Sequence, residues 1–536
     1  ARRFDSMASA LYTALFSLCL GTIEGLRRSS KPPHVLLIVA DDFGWNDVGY
    51  HQNQKSSANP NGEPTTNGVI STPVLDQLAR EGRTLEMYYV QPLCSPTRGT
   101  IMTGRYPSHT GIGPSVIEVS HAYGMPGSEV FIAQKFKSVN YSTHIVGKWH
   151  LGFCDERFTP TFRGFDSFIG YLGGMEDYWN HTRTADGFSG LDFRNSTTIR
   201  DSANKLAPAD SSHQGTYSVD VLTKQVDLIV STHDPKIPLF MYVPFQSVHA
   251  PLQAPQKYID MYKSISDMNR RIYAGMVTAL DDAVGSIRDS YMQKGLWNDT
   301  LLVFTTDNGG PPGSANNFPL RGHKATAWEG GVRGIAFVRG TNNKDLFPVP
   351  AGTSTSQLMH SSDWLPTLAS VAGYSTKGLQ LDGHDQWGVI ARGENTTRVT
   401  VVHNCAAADF PRRAGAMRIG RYKLMFEDAS MQVTGNMKQT PPPGFDPKQS
   451  SVCSPPKPTD DGVYLFDIIA DPHECTNLAK SQPKVLNATM TVYDNYKKTA
   501  VADLALSHPK SDPTSNPQLR KDKAWGPFQG SKECKF

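Results

Sequence analysis

Val35-Leu36-Leu37-Ile38-Val39-Ala40-Asp41-Asp42 is six apolar residues that stop on two carboxylates. A run this short and apolar on both faces suits a strand covered on both sides, because a half-exposed strand alternates and a buried helix is longer. Three further stretches have the same form. Thr143-His-Ile-Val146 runs into Gly147-Lys148-Trp149-His150, and Leu239-Phe-Met-Tyr-Val243 leads to Gln246-Ser-Val-His249. Leu301-Leu-Val-Phe304 runs into Thr305-Thr306-Asp307-Asn308-Gly309-Gly310. Helical stripes lie between them: Val219, Leu222, Val226 and Ile229, then Met276, Leu280, Val284, Ile287 and Tyr291, closing at Gly295. Strands alternating with helices predict an α/β sheet flanked by helices. In such sheets ligands bind beyond the carboxyl ends of the strands, where all four polar clusters fall.

After about residue 400 the pattern changes. Met417 to Glu427 and Val463 to Ile469 read as strands without intervening helices, separated by a Pro-rich loop, Thr440 to Pro458. The expected division is a signal peptide and leader over 1–30, a catalytic domain over 31–400, and a smaller antiparallel-sheet domain with a tail over 401–536. The leader follows from Arg2 and Arg3 ahead of the apolar stretch Leu11 to Leu20. The tail from Ser507 is polar and expected to be irregular.

The 536 residues are 38% hydrophobic and 19% charged, with a formal net charge of +3. That composition excludes wholesale disorder and a polybasic nucleic-acid binder. No apolar run reaches the ~20 residues that span a bilayer. Six Asn-x-Ser/Thr sequons, at Asn140, Asn180, Asn195, Asn298, Asn395 and Asn487, point with the leader to a glycosylated lysosomal or secreted protein. Beyond Cys19 in the leader there are six cysteines, and an oxidising compartment would pair some of them. Cys405 with Cys453 is one candidate bridge.

The densest motif is Cys94-Ser-Pro96-Thr-Arg98-Gly-Thr-Ile-Met-Thr103-Gly104-Arg105. Pro96 suits the first turn of a helix, and Arg98 falls on that turn near Cys94. A thiol at a helix N-terminus beside Arg is an activated position, so a reactive cysteine is expected; a buried free thiol or half-cystine is the alternative. Asp41, Asp42, Asp307 and Asn308 supply hard oxygen ligands, the set for Ca²⁺ or Mg²⁺ rather than Zn²⁺. Asp281-Asp282 sits mid-helix and is expected on a solvated face. Arg98, Lys148, His150, His249 and Lys324 come from separate segments and would converge above the sheet. Such a cluster fits an anionic ester, with lysines as point charges and histidines as proton carriers. His109, His181 and His323 lack a surrounding motif and are expected to be structural. There is no complete phosphate-binding loop, no Gly-x-Ser-x-Gly elbow, no His-Glu-x-x-His helix, and no interleaving of Arg with aromatics.

The run Cys-x-Pro-x-Arg followed by Thr-Gly-Arg resembles the signature of the sulfatase family, over roughly residues 32 to 400 and more loosely beyond. Gly147-Lys-Trp-His-Leu-Gly152, Arg163-Gly-Phe-Asp166, Gln246-Ser-Val-His249 and Trp328-Glu-Gly-Gly-Val-Arg333 look closest to its arylsulfatase B type. Many members have Ser where Thr97 stands, and close relatives carry a bridge where this chain has no cysteine between Gly111 and Gly127. The resemblance implies an alkaline-phosphatase-like fold: a mixed sheet of ten strands flanked by helices, with a four-stranded antiparallel sheet in a small C-terminal domain. It implies that a formylglycine-generating enzyme oxidises Cys94 to formylglycine, whose hydrate is the nucleophile. Ca²⁺ would be held by Asp41, Asp42, Asp307, Asn308 and residue 94. Asp307 would deprotonate the nucleophile and Arg98 would hold it. Lys148, His249 and Lys324 would bind the sulfuryl oxygens, with Lys324 or His249 protonating the leaving alcohol. His150 would take a proton from the second hydroxyl to expel sulfate. The implied substrate is a sulfate ester, such as an aryl sulfate or a terminal 4-sulfated N-acetylgalactosamine. The sugar would be read by Gly170 to Asn195 through Tyr178, Trp179 and His181. A phosphate or phosphonate ester hydrolase of the same superfamily, or a non-catalytic binder of sulfated glycans, are the alternatives.

Overall fold

The computed structural model describes residues 32–52, 70–113, 115–197, 202–343, 346–409, 412–427, 453–507, 511–534 and 536. The expected leader and most of the Pro-rich loop lie outside the described residues. Among those described, a mixed sheet of nine strands, where the resemblance implied ten, runs in the order Thr353–Thr355, Arg83–Leu85, Ala336–Arg339, Thr300–Thr306, His34–Ala40, Leu239–Pro244, Ser142–Val146, Ser167–Gly170 and Arg194–Asn195. The four apolar runs are four neighbouring strands of this sheet, and all pair in parallel. Their carboxyl ends therefore open on one edge, which brings the four polar clusters together.

Alternate residues of each strand feed two cores, as the two-residue period requires. Leu36, Ile38, Met241, Val243, Leu302 and Phe304 pack on one face against both helical stripes. Those stripes belong to the helices Ser218–Thr232 and Met268–Gln293. Val35, Leu37, Val39, Phe240, Tyr242 and Val303 pack on the other face with Ile101, Phe136 and Leu365. The helix Met268–Gln293 ends where expected: Gly295, at φ 76°, lets the Leu296 amide donate to Tyr291 O at 2.9 Å.

One expectation on this helix is corrected. Asp282 is exposed, but Asp281 is fully buried and is no solvated residue. Its carboxylate accepts from the amides of Val74 (3.0 Å) and Leu75 (2.8 Å), capping the helix Pro73–Arg80, whose own Thr72 makes no capping bond.

The small sheet is antiparallel throughout, in the order Thr400–Cys405, Gly415–Ile419, Tyr422–Phe426 and Val463–Asp467. The expected strand at Met417 to Glu427 is a hairpin that turns at Gly420-Arg421. A helix that the sequence analysis did not single out, Pro483–Lys497, lays Leu486, Met490 and Tyr493 on one face of this sheet. Lys423 joins the sheet to the large domain, bridging Glu329 (2.9 Å) and Glu474 (2.8 Å) with all three side chains buried. Burial, reinforced by Glu329, pushes the Glu474 carboxyl up to about 7 despite Lys423.

The expected Cys405–Cys453 bridge is not formed. Cys453 pairs with Cys475, Cys154 pairs with Cys534, and Cys405 is a buried free thiol in its strand. The second bridge ties the tail to the large domain, where Trp525 and Phe528 enter the core. Five of the six sequon asparagines are exposed; Asn195 is half-buried and donates to Asp210 at 3.0 Å. Among the described residues no helix is long and apolar enough to cross a membrane.

Candidate active site

Cys94 begins the helix Cys94–Thr103, all of whose residues are buried, and its Sγ lies 3.6 Å from Asp41 Oδ1. Five other segments, carrying Asp41-Asp42, Lys148, His249, Asp307-Asn308 and Lys324, close on this point. Asp41 and Asp42 leave the strand His34–Ala40, with Asp42 in the left-handed region at φ 59°. That turn sends the two carboxylates in different directions. Asp41 accepts from Lys148 Nζ at 2.6 Å and pairs with Arg98 at 3.3 Å. Asp42 takes Lys324 Nζ at 2.8 Å, the side-chain Nδ2 of Asn308 at 2.7 Å and His249 Nε2 at 3.6 Å. Arg98 grips Asp307 Oδ2 through Nη2 (2.8 Å) and Nε (3.2 Å), and the Asp42 amide donates to Asp307 Oδ1 at 3.2 Å.

The electrostatics follow from this pairing. Burial alone would raise Asp41, but Lys148, His249 and Arg98 outweigh it and hold the carboxyl below its usual range. Burial is likewise outweighed at Asp42, by Lys324 and His249. At Asp307 burial and the nearby Asp41 prevail over Arg98 and push the carboxyl up. Burial lowers His150 well below the usual imidazole value, helped by Lys148 and Arg98, so its ring is neutral.

Cys94 itself departs from expectation. Its thiol is pushed far up by burial, with Asp307 and Asp41 opposing the help from Lys148 and Lys324. Arg98 is committed chiefly to Asp307 and Asp41, and burial of the thiol prevails. As an unmodified side chain, residue 94 is a neutral thiol and a poor nucleophile.

All ten nominated residues stand at or beside this cluster. Ligand atoms of Asp41, Asp42, Cys94 and His249 lie within 4.8 Å of one another. The donor set fits a hard cation: three carboxylates and an amide converge, and the Asn308 Oδ1 is buried without a hydrogen-bond partner. His150 is held by its backbone, donating to Leu172 O at 3.1 Å and accepting from Ser95 Oγ at 2.9 Å, while its buried Nδ1 has no partner. The histidines expected to be structural have other partners: His109 meets Asp382 at 2.9 Å, His181 meets His213 O at 3.1 Å, and His323 Nδ1 donates to Lys324 O at 2.7 Å.

The aromatic loop is corrected. Tyr178 and His181 are fully buried and present no stacking face to a sugar, and Trp179 is half-buried. Sequence reasoning also missed Tyr273, whose hydroxyl donates to Asp42 O at 3.1 Å and accepts from the Gly44 amide. Tyr273 lies one turn before Met276 on the stripe already recognised, so its inward direction was readable although its partner was not.

The sequence profile described as Sulfatase matches residues 33–374, and the chain belongs to the sulfatase family. It is a sulfuric ester hydrolase of alkaline-phosphatase-like fold. Its relatives include Arylsulfatase J of Mus musculus, 37% identical over 530 residues, covering 93% of this chain and 81% of the relative. N-acetylgalactosamine-6-sulfatase of Mus musculus is 28% identical, covering 69% and 68%. Among solved structures, that of Ps i-CgsB in complex with k-i-k-neocarrahexaose is 26% identical with a TM-score of 0.67, covering 89% of this chain and 96% of that one.

Proposed function

We propose that the chain hydrolyses small aryl sulfates and terminal sulfate monoesters of sugars through a formylglycine made from Cys94 and a bound Ca²⁺. The observation that carries this is the meeting of Lys148, Lys324, His249 and Arg98 with four oxygen-bearing side chains around a buried, unactivated thiol. A thiol pushed up by its surroundings is of little use as it stands, whereas those surroundings suit an oxygen nucleophile beside a hard cation.

Asp41, Asp42, Asp307, Asn308 and residue 94 would hold the ion, which supplies Lewis-acid polarisation of the attacking oxygen. Formylglycine, once hydrated, supplies one hydroxyl to attack sulfur and a second through which sulfate is expelled. The chain's own groups do the rest. Asp307 takes the proton of the attacking hydroxyl while Arg98, bonded to it through two nitrogens, fixes its orientation. Lys148 and Lys324 turn from the carboxylates to the sulfuryl oxygens, and His249 joins them. Lys324 or His249 delivers a proton to the departing alcohol. The neutral His150 is ready to accept the proton of the second hydroxyl.

For the sugar we propose 4-sulfated N-acetylgalactosamine ahead of its 6-sulfated isomer. Support comes from the arylsulfatase B-like motifs; Trp179 is the remaining aromatic candidate for reading the ring. The leader expected from the sequence, the exposed sequons and the two disulfides support action in the lysosome or outside the cell, after modification by a formylglycine-generating enzyme. Assaying both isomers at equal concentration tests the substrate. The expected preference for 4-sulfate is ~10²-fold. Equal rates, or a preference for 6-sulfate, would reject the sugar assignment and leave sulfate ester hydrolysis standing.

A further inference from the structure

We infer that Tyr178 is a positioning residue for His249, acting through the backbone of the loop that carries it. The inference rests on the role given to His249 above. Tyr178 is 0% exposed, and its ring stacks on Tyr217 with centroids 5.4 Å apart and planes 18° from parallel. Its hydroxyl donates to His249 O at 2.8 Å and lies 3.1 Å from Gln246 O. The residues around it clamp the same loop. Gln246 Nε2 donates to Glu176 O, the Tyr178 amide donates to Gln253 Oε1 at 2.9 Å, and Gln253 Nε2 donates to Asp177 Oδ2 at 2.8 Å. Three consecutive residues thus hold the loop at its start, its centre and its end.

What this does to His249 follows from the imidazole's own bonds. Nδ1 donates to Ala250 O at 2.7 Å, which leaves Nε2 toward Asp42 and the anion pocket. The ring is oriented by the backbone at 249–250, and the Tyr178 hydroxyl seats that backbone. Removing the hydroxyl deprives a buried turn of its donor while leaving the stacked ring in place. No contact to substrate is lost directly, so the effect is confined to the placement of His249, which bears on the chemical step and, through the sulfuryl oxygens, on binding.

The test is a double-mutant cycle with Tyr178→Phe and His249→Ala on an aryl sulfate, at equal formylglycine content measured by mass spectrometry of the residue-94 peptide. In the otherwise native enzyme, Tyr178→Phe is expected to lower kcat about 10-fold, with KM raised by a smaller factor. In the His249→Ala background the same change should alter kcat less than about twofold, because the group it positions is gone. A 10-fold loss in both backgrounds, or none in either, would overturn the inference while a slow His249→Ala enzyme kept the role of His249. A His249→Ala enzyme as fast as the native one would remove that role and this inference with it.

Discussion

Gly174 is where a single methyl group should separate activity from folding. A Cβ built there would sit 2.7 Å from His150 Nε2 and 2.8 Å from Cε1. Ordinary contact is about 3.5 Å, so in Gly174→Ala the imidazole must give way by ~0.8 Å. It cannot do so through its backbone, which stands at φ 59° and is bonded on both sides, to Leu172 and Ser95. Gly174 itself is not in the left-handed region, so alanine is tolerated by the main chain there. The ring therefore moves about its side-chain torsions, at a cost of about 1–3 kcal/mol in stability. A displacement of this size in a proton-transfer group should lower kcat on an aryl sulfate by ~10²-fold. The assay compares kcat with thermal unfolding of the same preparation. A folded Gly174→Ala enzyme with kcat within about threefold of the native value would refute the assignment of His150 to the reaction.

Other consequences can be checked independently. Asp281→Ala should destabilise the fold by about 2 kcal/mol, since it strips two buried amides of their acceptor, while kcat at low temperature stays unchanged; an unchanged urea midpoint would contradict the capping role. His403 is buried against the Tyr89 ring with neither ring nitrogen hydrogen-bonded, and burial, with Lys423 and Arg418, holds it well below the usual imidazole value. The unfolded chain takes up a proton there below about 6.5 and the folded chain does not, so this residue loses stability as pH falls, by ~1.4 kcal/mol per unit. His403→Phe should therefore gain on the native protein by about 2 kcal/mol between pH 6.5 and 5 in urea unfolding, and parallel pH profiles would exclude the effect. Asp42→Ala and Asp307→Asn should each lower activity by orders of magnitude and deplete bound calcium on elemental analysis; stoichiometric zinc with little calcium in the native protein would contradict the ligand argument.

The central strands were legible because they are short, apolar on both faces and end on polar clusters. A sheet covered on both sides leaves little other use for Val35 to Ala40, and the helical stripes announced the layers that cover it. The site was legible for the same reason, since parallel strands bring their carboxyl ends to one edge. Long-range pairing was not. Cys154 and Cys534 lie 380 residues apart, and nothing in their spacing names one as the partner of the other. Charge on a helix was misread at Asp281 because a carboxylate can serve the N-terminus of a neighbouring helix as well as solvent. Tyr178 and His181 looked like a sugar platform, yet aromatic residues on loops fill the loop's own interior as readily as they face a ligand. The local pattern around Cys94 suggested an activated thiol; only the three-dimensional arrangement shows that burial and two carboxylates outweigh the cations, and that Arg98 belongs to Asp307.

The formylglycine mechanism requires two hydroxyls on residue 94, and Cys94→Ser measures this directly. A serine can displace the alcohol from sulfur but has no second hydroxyl through which to release the sulfate it receives. Rapid mixing of this variant with a chromogenic aryl sulfate should give no more than one equivalent of alcohol per chain and then stop, while the native enzyme turns over continuously. Sustained turnover by Cys94→Ser at close to the native rate would contradict the formylglycine mechanism.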